Sequence, residues 1–286
     1  MMCKNALLGI TLIGTGSLLI NTTADAAVLA SDAFDYSTNS TLGAQSAAGG
    51  GWATGWRSSA GLTAESGAAV LAGSLSAPAG YTPTPSGGSA IQAGLVAYRG
   101  LDLASQIDLS VDKDYYISYL TERTPVPTTT RSFSFQLQTG GVTGGDIVVN
   151  VGTSTGGDPF VALGGSGTVL EDLNLIGNGT TDLWVVKIAA SANSADQVFL
   201  KVYDSLLDTV DATEPATWSV VSSTELNNAT ATQLGFAIST SATLQIDEIR
   251  IGESWADVVP VPEPTSASLV LVGLGLLAAR QRTIRD

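Results

Sequence analysis

Histidine is absent from this 286-residue chain, so the residues with chemistry to offer are its acids, a few aromatics and one serine–lysine spacing. Without histidine neither a Ser-His-Asp nor a Cys-His nucleophile can be assembled, and the commonest zinc ligand is missing. Ser110-Val-Asp-Lys113 has the S-x-x-K spacing of serine acyl enzymes, but it sits in a charged turn before a strand and has no partner motif. Chance explains it better. Carboxylate chemistry is what remains. Retaining glycoside hydrolysis needs two carboxyls about 5–5.5 Å apart. In the run Gln245-Ile-Asp-Glu-Ile-Arg-Ile-Gly-Glu253, strict alternation sets Asp247 and Glu248 on opposite faces and puts Arg250 beside Glu248. No carboxylate pair is predicted, no catalytic residue is assigned, and the expectation is a protein that is not an enzyme.

The elements that must position these residues repeat with a period of two. In Asp114–Arg123, Tyr115, Ile117 and Tyr119 point one way and Tyr116, Ser118 and Leu120 the other. In Arg131–Thr139, Phe133, Phe135 and Leu137 share a face opposite Ser132, Ser134, Gln136 and Gln138, which predicts a strand with one wet side. Seven further stretches read the same way, separated by Gly, Asn and Asp clusters such as TGGVTGGD and GNGTTD. No central segment holds a helical period. The chain is all-β, and with about 230 residues between its termini it is long enough for one large sandwich. Trp184 and Trp255 lie in apolar contexts and read as core.

Both ends are apolar. Lys4 precedes an uncharged stretch from Ala6 to Ile20, and Ala24-Asp25-Ala26 fits the small-x-small rule of a signal peptidase site. Residues 1–26 are therefore expected to be a signal helix that is removed. Cys3, the only cysteine, goes with it, leaving no disulfide in the exported protein. At the other end Pro262-Glu263-Pro264 precedes an apolar segment, 265–279, and a basic tail, 280–286, with Arg280, Arg282 and Arg285. That segment is shorter than the roughly 20 residues of a comfortable transmembrane helix. Arginines after it keep the end of the chain cytoplasmic. The chain carries a net charge of −14, an acidic balance that argues against nucleic acid and anionic lipid as partners.

Two resemblances sharpen these readings. The order Pro-Glu-Pro, apolar segment, arginines resembles the PEP-CTERM sorting signal of Gram-negative bacteria that make extracellular polysaccharide. It implies an exosortase as processing partner and transient residence in the inner membrane, followed by the cell envelope or the outside, with an ordinary permanent anchor as the competing reading. The stretches FDYSTNSTLGAQSAAGGGWATGW, DKDYYISYLTER, DLWVVKIAASANSADQVFLKVYD and QIDEIRIGESWADVVP, in that order, resemble the concanavalin A-like lectin/glucanase family with laminin-G-like domains. This resemblance implies a two-sheet antiparallel jelly-roll sandwich over 27–260. It also implies exposed aromatics as glycan contacts, for which Trp52, Trp56 and Tyr81 are the candidates, with packing as the competing reading. A structural calcium near the terminal strands would use Asp247, although one carboxylate does not make a site; capping a turn is the competing reading. No other cofactor is expected. The function expected is that of an exported, non-catalytic surface or extracellular-matrix protein, with extracellular polysaccharide as the candidate ligand. The rivals are a glycoside hydrolase of the same fold and a purely structural or adhesive coat protein.

Overall fold

The computed structural model describes residues 28–45, 50–58, 68–82, 85, 87–93, 96–101, 106–123, 133–140, 146–154, 158–164, 166–169, 179–222, 226–238 and 243–260. The expected signal helix with Ala24 and Ala26, and the tail with Pro262, Glu263, Pro264, Arg280, Arg282 and Arg285, lie outside these residues.

The chain runs through β1 (Ala30–Asp32), β2 (Trp52–Ser58), β3 (Ala68–Ala72), β4 (Gly88–Ala93), β5 (Val96–Leu101) and β6 (Ile107–Asp108). There follow β7 (Lys113–Arg123), β8 (Phe133–Gln138), β9 (Ile147–Thr153), β10 (Pro159–Leu163), β11 (Ser166–Val169) and β12 (Thr181–Ala190). The last elements are β13 (Gln197–Asp204), β14 (Val220–Val221), β15 (Thr230–Ala231), β16 (Gln233–Ile238), β17 (Thr243–Gly252) and the short helix α1 (Trp255–Val258). One sheet has the order β14-β13-β12-β7-β17-β4-β3, with β1 also on β17, and the other the order β11-β10-β9-β8-β16-β5-β2. Every pairing between these strands is antiparallel. The chain crosses between sheets from β4 to β5, from β7 to β8 and from β16 to β17. The result is an antiparallel jelly-roll sandwich.

Its interior is the face that alternation selects. Phe133, Phe135 and Leu137 meet Tyr119 and Trp184 from the opposite sheet and Phe236 from their own, all within one buried cluster. Tyr119 stacks on Phe135 at 4.9 Å between ring centroids, and Phe133 meets Trp184 edge-on at 5.1 Å. Such pairs add to the burial of large rings. The opposite face of β7 is covered as well: Tyr116 and Leu120 join Leu75, Tyr81, Leu183, Val185, Trp255, Val258 and Val259 in a second cluster outside the first sheet.

One expectation is corrected here. The polar side of β8 is not wet: Ser134, Gln136 and Gln138 are all buried. Gln138 Nε2 donates to Gln136 Oε1 at 2.8 Å, and Gln136 Nε2 donates to Ser134 Oγ at 2.9 Å. Polar side chains at every second position can be buried when each supplies the next one's partner. Alternation reports polarity, and exposure follows only when nothing covers or links the polar side chains.

Candidate functional site

On the outer face of the first sheet, β17 carries an irregularity that changes the reading of its acids. Asp247 pairs with Leu120, but Arg250, not Ile249, pairs with Ser118. One extra residue is therefore accommodated, a β-bulge. Glu248 takes it up with φ of 48°, in the left-handed region that side-chain-bearing residues seldom occupy. Ile249 and Ile251 stay in the sandwich core. Asp247 and Arg250 both lie on the outer side, opposite Leu120 and Ser118, and Glu248 is the inserted residue between turns of the alternation. The expected placement, Asp247 and Glu248 on opposite faces with Arg250 beside Glu248, does not survive the bulge.

Asp247 acts as a fastener. Its Oδ2 accepts from the Leu75 amide at 2.9 Å and its Oδ1 from the Glu248 amide at 2.8 Å. Burial pushes this carboxyl up to about 8; the two amides oppose that shift, and nearby Glu248 and Asp32 reinforce it. The carboxyl thus pins residues 74–82 across the sheet. Tyr81 belongs to that strap, so the structure does bring two of the sequence candidates, Tyr81 and Asp247, into one neighbourhood. Tyr81 is buried with the second cluster, and its phenol is pushed well up by burial, with Arg250 opposing and Glu248 and Asp247 adding. It stays protonated and does not serve as a base. A cavity of about 530 Å³ lies over the strap, lined by Ser74, Leu75, Tyr81, Pro85 and Gly87. The calcium expectation at Asp247 does not fit: both its oxygens already hold amides, and among the described residues no three His, Cys, Asp or Glu side chains are grouped to hold a metal. Its place is nearer the competing reading, a carboxyl that caps backbone amides.

The same face fixes the end of the domain. Ser254 and Asp257 form a capping box at the start of α1, the Ser254 side chain accepting from the Asp257 amide and Asp257 Oδ2 from the Ser254 amide at 2.7 Å. Ser118 Oγ donates to the Val258 carbonyl at 2.7 Å, and Val258 and Val259 are fully buried. The Pro260 carbonyl then accepts from the Thr82 amide at 3.0 Å and from Thr82 Oγ1 at 2.6 Å. The sandwich is held together through Pro260, two residues before Pro262.

A second polar face lies on the outer side of the other sheet. Directly paired residues share a side, so Gln138 with Gln233, Gln136 with Asn150 and Gly235, and Ser134 with Gly152 make three rungs of one row. Gly152 keeps the rungs close: a Cβ there would lie 2.0 Å from the Phe133 carbonyl oxygen. Asn150 is the half-buried member of the row, the amides around it being buried. The row holds amides and a hydroxyl and no carboxylate. Sequence reasoning passed over it; the signal was present in the Ser-x-Gln-x-Gln alternation, read only as a solvent side.

The two tryptophans go elsewhere. Trp52 is 6% exposed and Trp56 3%, with indole N–H groups donating to the Ser31 carbonyl at 2.6 Å and to Asp32 Oδ2 at 2.9 Å. Trp56 stacks on Phe34 at 5.7 Å. Neither offers a ring face to a sugar, so their place is in the packing. Asp108 caps the Ser110 amide of its own loop, Asp112 accepts from the Ala192 amide in the turn between β12 and β13, and Lys113 of the S-x-x-K spacing pairs with Glu253 across the sheet.

No curated protein matches the chain in sequence. Among solved structures it is similar to the T. cruzi calreticulin globular domain, with 11% identity and a TM-score of 0.43 over 71% of this chain and 86% of that one. It is also similar to an endo-β-1,4-glucuronan lyase from the fungus Trichoderma reesei, with 10% identity and a TM-score of 0.40 over 78% of this chain and 97% of the other. A third is the cellulose induced protein Cip1, with 13% identity and a TM-score of 0.36 over 66% of this chain and 88% of that one. Residues 260–283 match the PEP-CTERM protein-sorting motif. Beginning at the residue that Thr82 clamps to the sandwich, the chain carries a PEP-CTERM sorting signal, which implies an exported, envelope-sorted protein processed by an exosortase.

Proposed function

We propose that this is a non-catalytic surface or extracellular-matrix protein. Its signal helix is removed by signal peptidase, its tail crosses the inner membrane transiently, and its sandwich binds a neutral extracellular polysaccharide. The observation that carries the reading is the continuity of fold and signal: the sorting match begins at Pro260, the last residue clamped to the sandwich. A body delivered by such a tail is displayed close to the surface that received it. Binding without cleavage is supported by the chemistry of the two polar faces. Asn150, the half-buried amide of the row on the second sheet, offers a donor and an acceptor that suit sugar hydroxyls, and the row has no acid to protonate a glycosidic oxygen. Of the acids that sit together, Asp247 holds backbone amides, and Asp114 and Glu214 are both paired with Lys187.

The experiment is a glycan array with the exported chain, paired with a reducing-sugar assay on the polysaccharides it retains. Retention without sugar release is expected, and Asn150→Ala should weaken retention about tenfold, the loss of a well-placed polar pair. Release of reducing sugar would revive the glycoside hydrolase. Failure to retain any glycan would favour the purely structural coat protein.

A further inference from the structure

The turn after β13 displays two leucines to solvent in a conformation that the chain holds firmly. Leu206 is 76% exposed and Leu207 84%. One exposed leucine needs no explanation. Here two adjacent ones stand on a turn fastened at each residue. The Asp204 amide donates to Asp208 Oδ2 at 2.8 Å, the Leu206 amide to Asp204 Oδ1 at 2.7 Å, the Asp208 amide to the Asp204 carbonyl at 2.9 Å, and the Ser205 amide to the Thr181 carbonyl at 2.9 Å. The leucines are presented in a fixed conformation, so ordering them costs little when they meet a partner.

The segment returning from this turn is tied to the exit of the tail. The Val210 amide donates to the Ala79 carbonyl at 2.8 Å, and Thr209 bridges Ala79. Gly80 makes that approach possible: with φ of 88°, a Cβ on it would lie 3.1 Å from the Val210 carbonyl oxygen. Two residues further on, Thr82 holds Pro260. From the other side, Trp255 Nε1 of α1 donates to the Asp211 carbonyl at 3.1 Å. The leucine turn and the start of the tail are thus parts of one rigid assembly. The apolar stretch 265–279 begins five residues beyond Pro260.

We infer that Leu206 and Leu207 dip into the lipid interface beside the tail while the tail still spans the membrane, orienting the sandwich before processing. The inference rests on the transient span of the proposed function. Alone, two leucines would bind a bilayer too weakly to matter. Held by the tail in the same membrane they meet it at a high effective concentration, and the contact becomes intramolecular. The aspartates around the turn set the lipid: Asp204, Asp208 and Asp211, on a chain of net charge −14, suit a zwitterionic surface and repel an anionic one. After the tail is cut the tether is gone, and so is the contact.

The test uses the exported chain, purified from the membranes of a host without exosortase and reconstituted in phosphatidylcholine vesicles with brominated acyl chains. Cys3 leaves with the signal helix, so one polarity-sensitive dye is placed at Leu207→Cys or at Ser194→Cys, the latter in the exposed turn at the other end of the β12–β13 hairpin. The dye at 207 is expected to shift to the blue and to be quenched at least about twofold more than the dye at 194. Adding Leu206→Ser should reduce that quenching, and replacing half the lipid with phosphatidylglycerol should reduce it further. A chain that floats with the vesicles while both dyes stay equally wet overturns the lipid contact and leaves the sorting reading standing. A chain that does not float overturns both. A dye at 207 shielded equally without vesicles, in a dimer seen on a gradient, overturns the lipid contact and assigns the leucines to a second copy.

Discussion

Two buried carboxyls show how much a single residue's partners decide. Asp247 is satisfied by two amides, whereas Asp182, fully buried on β12, has no hydrogen bond to either carboxyl oxygen. Burial pushes Asp182 up to about 8, with Arg123 opposing and Asp204 and Asp208 adding. In the unfolded chain it titrates near 3.8. Between those values the folded state keeps a proton that the unfolded state gives up. The contribution to stability is therefore full below about pH 4, falls as pH rises towards about 8, and is level above that. Asp182→Asn removes the titration. Chemical denaturation should find the variant more stable than the native chain at pH 9 by about 1–3 kcal/mol, because a neutral amide replaces a buried carboxylate that has no hydrogen-bond partner, with the advantage shrinking by pH 5. An equal difference at both pH values would contradict this. At this scale the sequence was only half readable. The absence of histidine and the weakness of Ser110–Lys113 followed from residue types alone. The placement of Asp247 and Glu248 did not, because a bulge adds a residue without a compositional mark: Glu248 adopts a positive φ that a glycine would have advertised.

At the scale of elements, β8 summarises the packing. Phe133, Phe135 and Leu137 fill the interior, and Phe135 touches both Tyr119 from across the sandwich and Phe236 from the neighbouring strand. Phe135→Ala should cost about 3–5 kcal/mol, because the rings around it are held by two sheets and cannot collapse into the space. Urea denaturation measures this, and a loss below about 1 kcal/mol would mean that the site repacks freely. The apolar face of this strand was legible because alternation and core placement share the same period. Its polar face was misjudged, since a Ser-Gln-Gln ladder satisfies itself and needs no water. The aromatics tell a related story. Trp52 and Trp56 were candidates by type, yet each indole N–H finds an acceptor on β1, a pairing across more than twenty residues that no local pattern announces.

For the whole molecule, the sandwich and its tail form one device. The strap from Ser74 to Thr82, fastened by Asp247, and α1, fastened by its capping box, converge on Pro260. Just past it in sequence, Pro262 and Pro264 are residues that disfavour a regular helix, and under the proposed function they would give a protease an extended segment to grip. Under the same proposal the apolar segment and Arg280, Arg282 and Arg285 would set insertion and orientation. A short span suffices for a temporary hold, as in other signals whose apolar tail is removed. The tail was legible from sequence because its parts are defined by composition and order; the Thr82–Pro260 clamp was not, since it joins residues 178 positions apart. Mass spectrometry of the chain's C-terminus, in envelope and secreted fractions of a host with an exosortase, tests the account most directly. The native protein should be found outside the inner membrane without its last ~20 residues, the span being a handling signal. Changing Pro262, Glu263 and Pro264 together to alanine should leave the full-length form in the membrane. A native chain that still ends at Asp286 with the enzyme present would contradict the account.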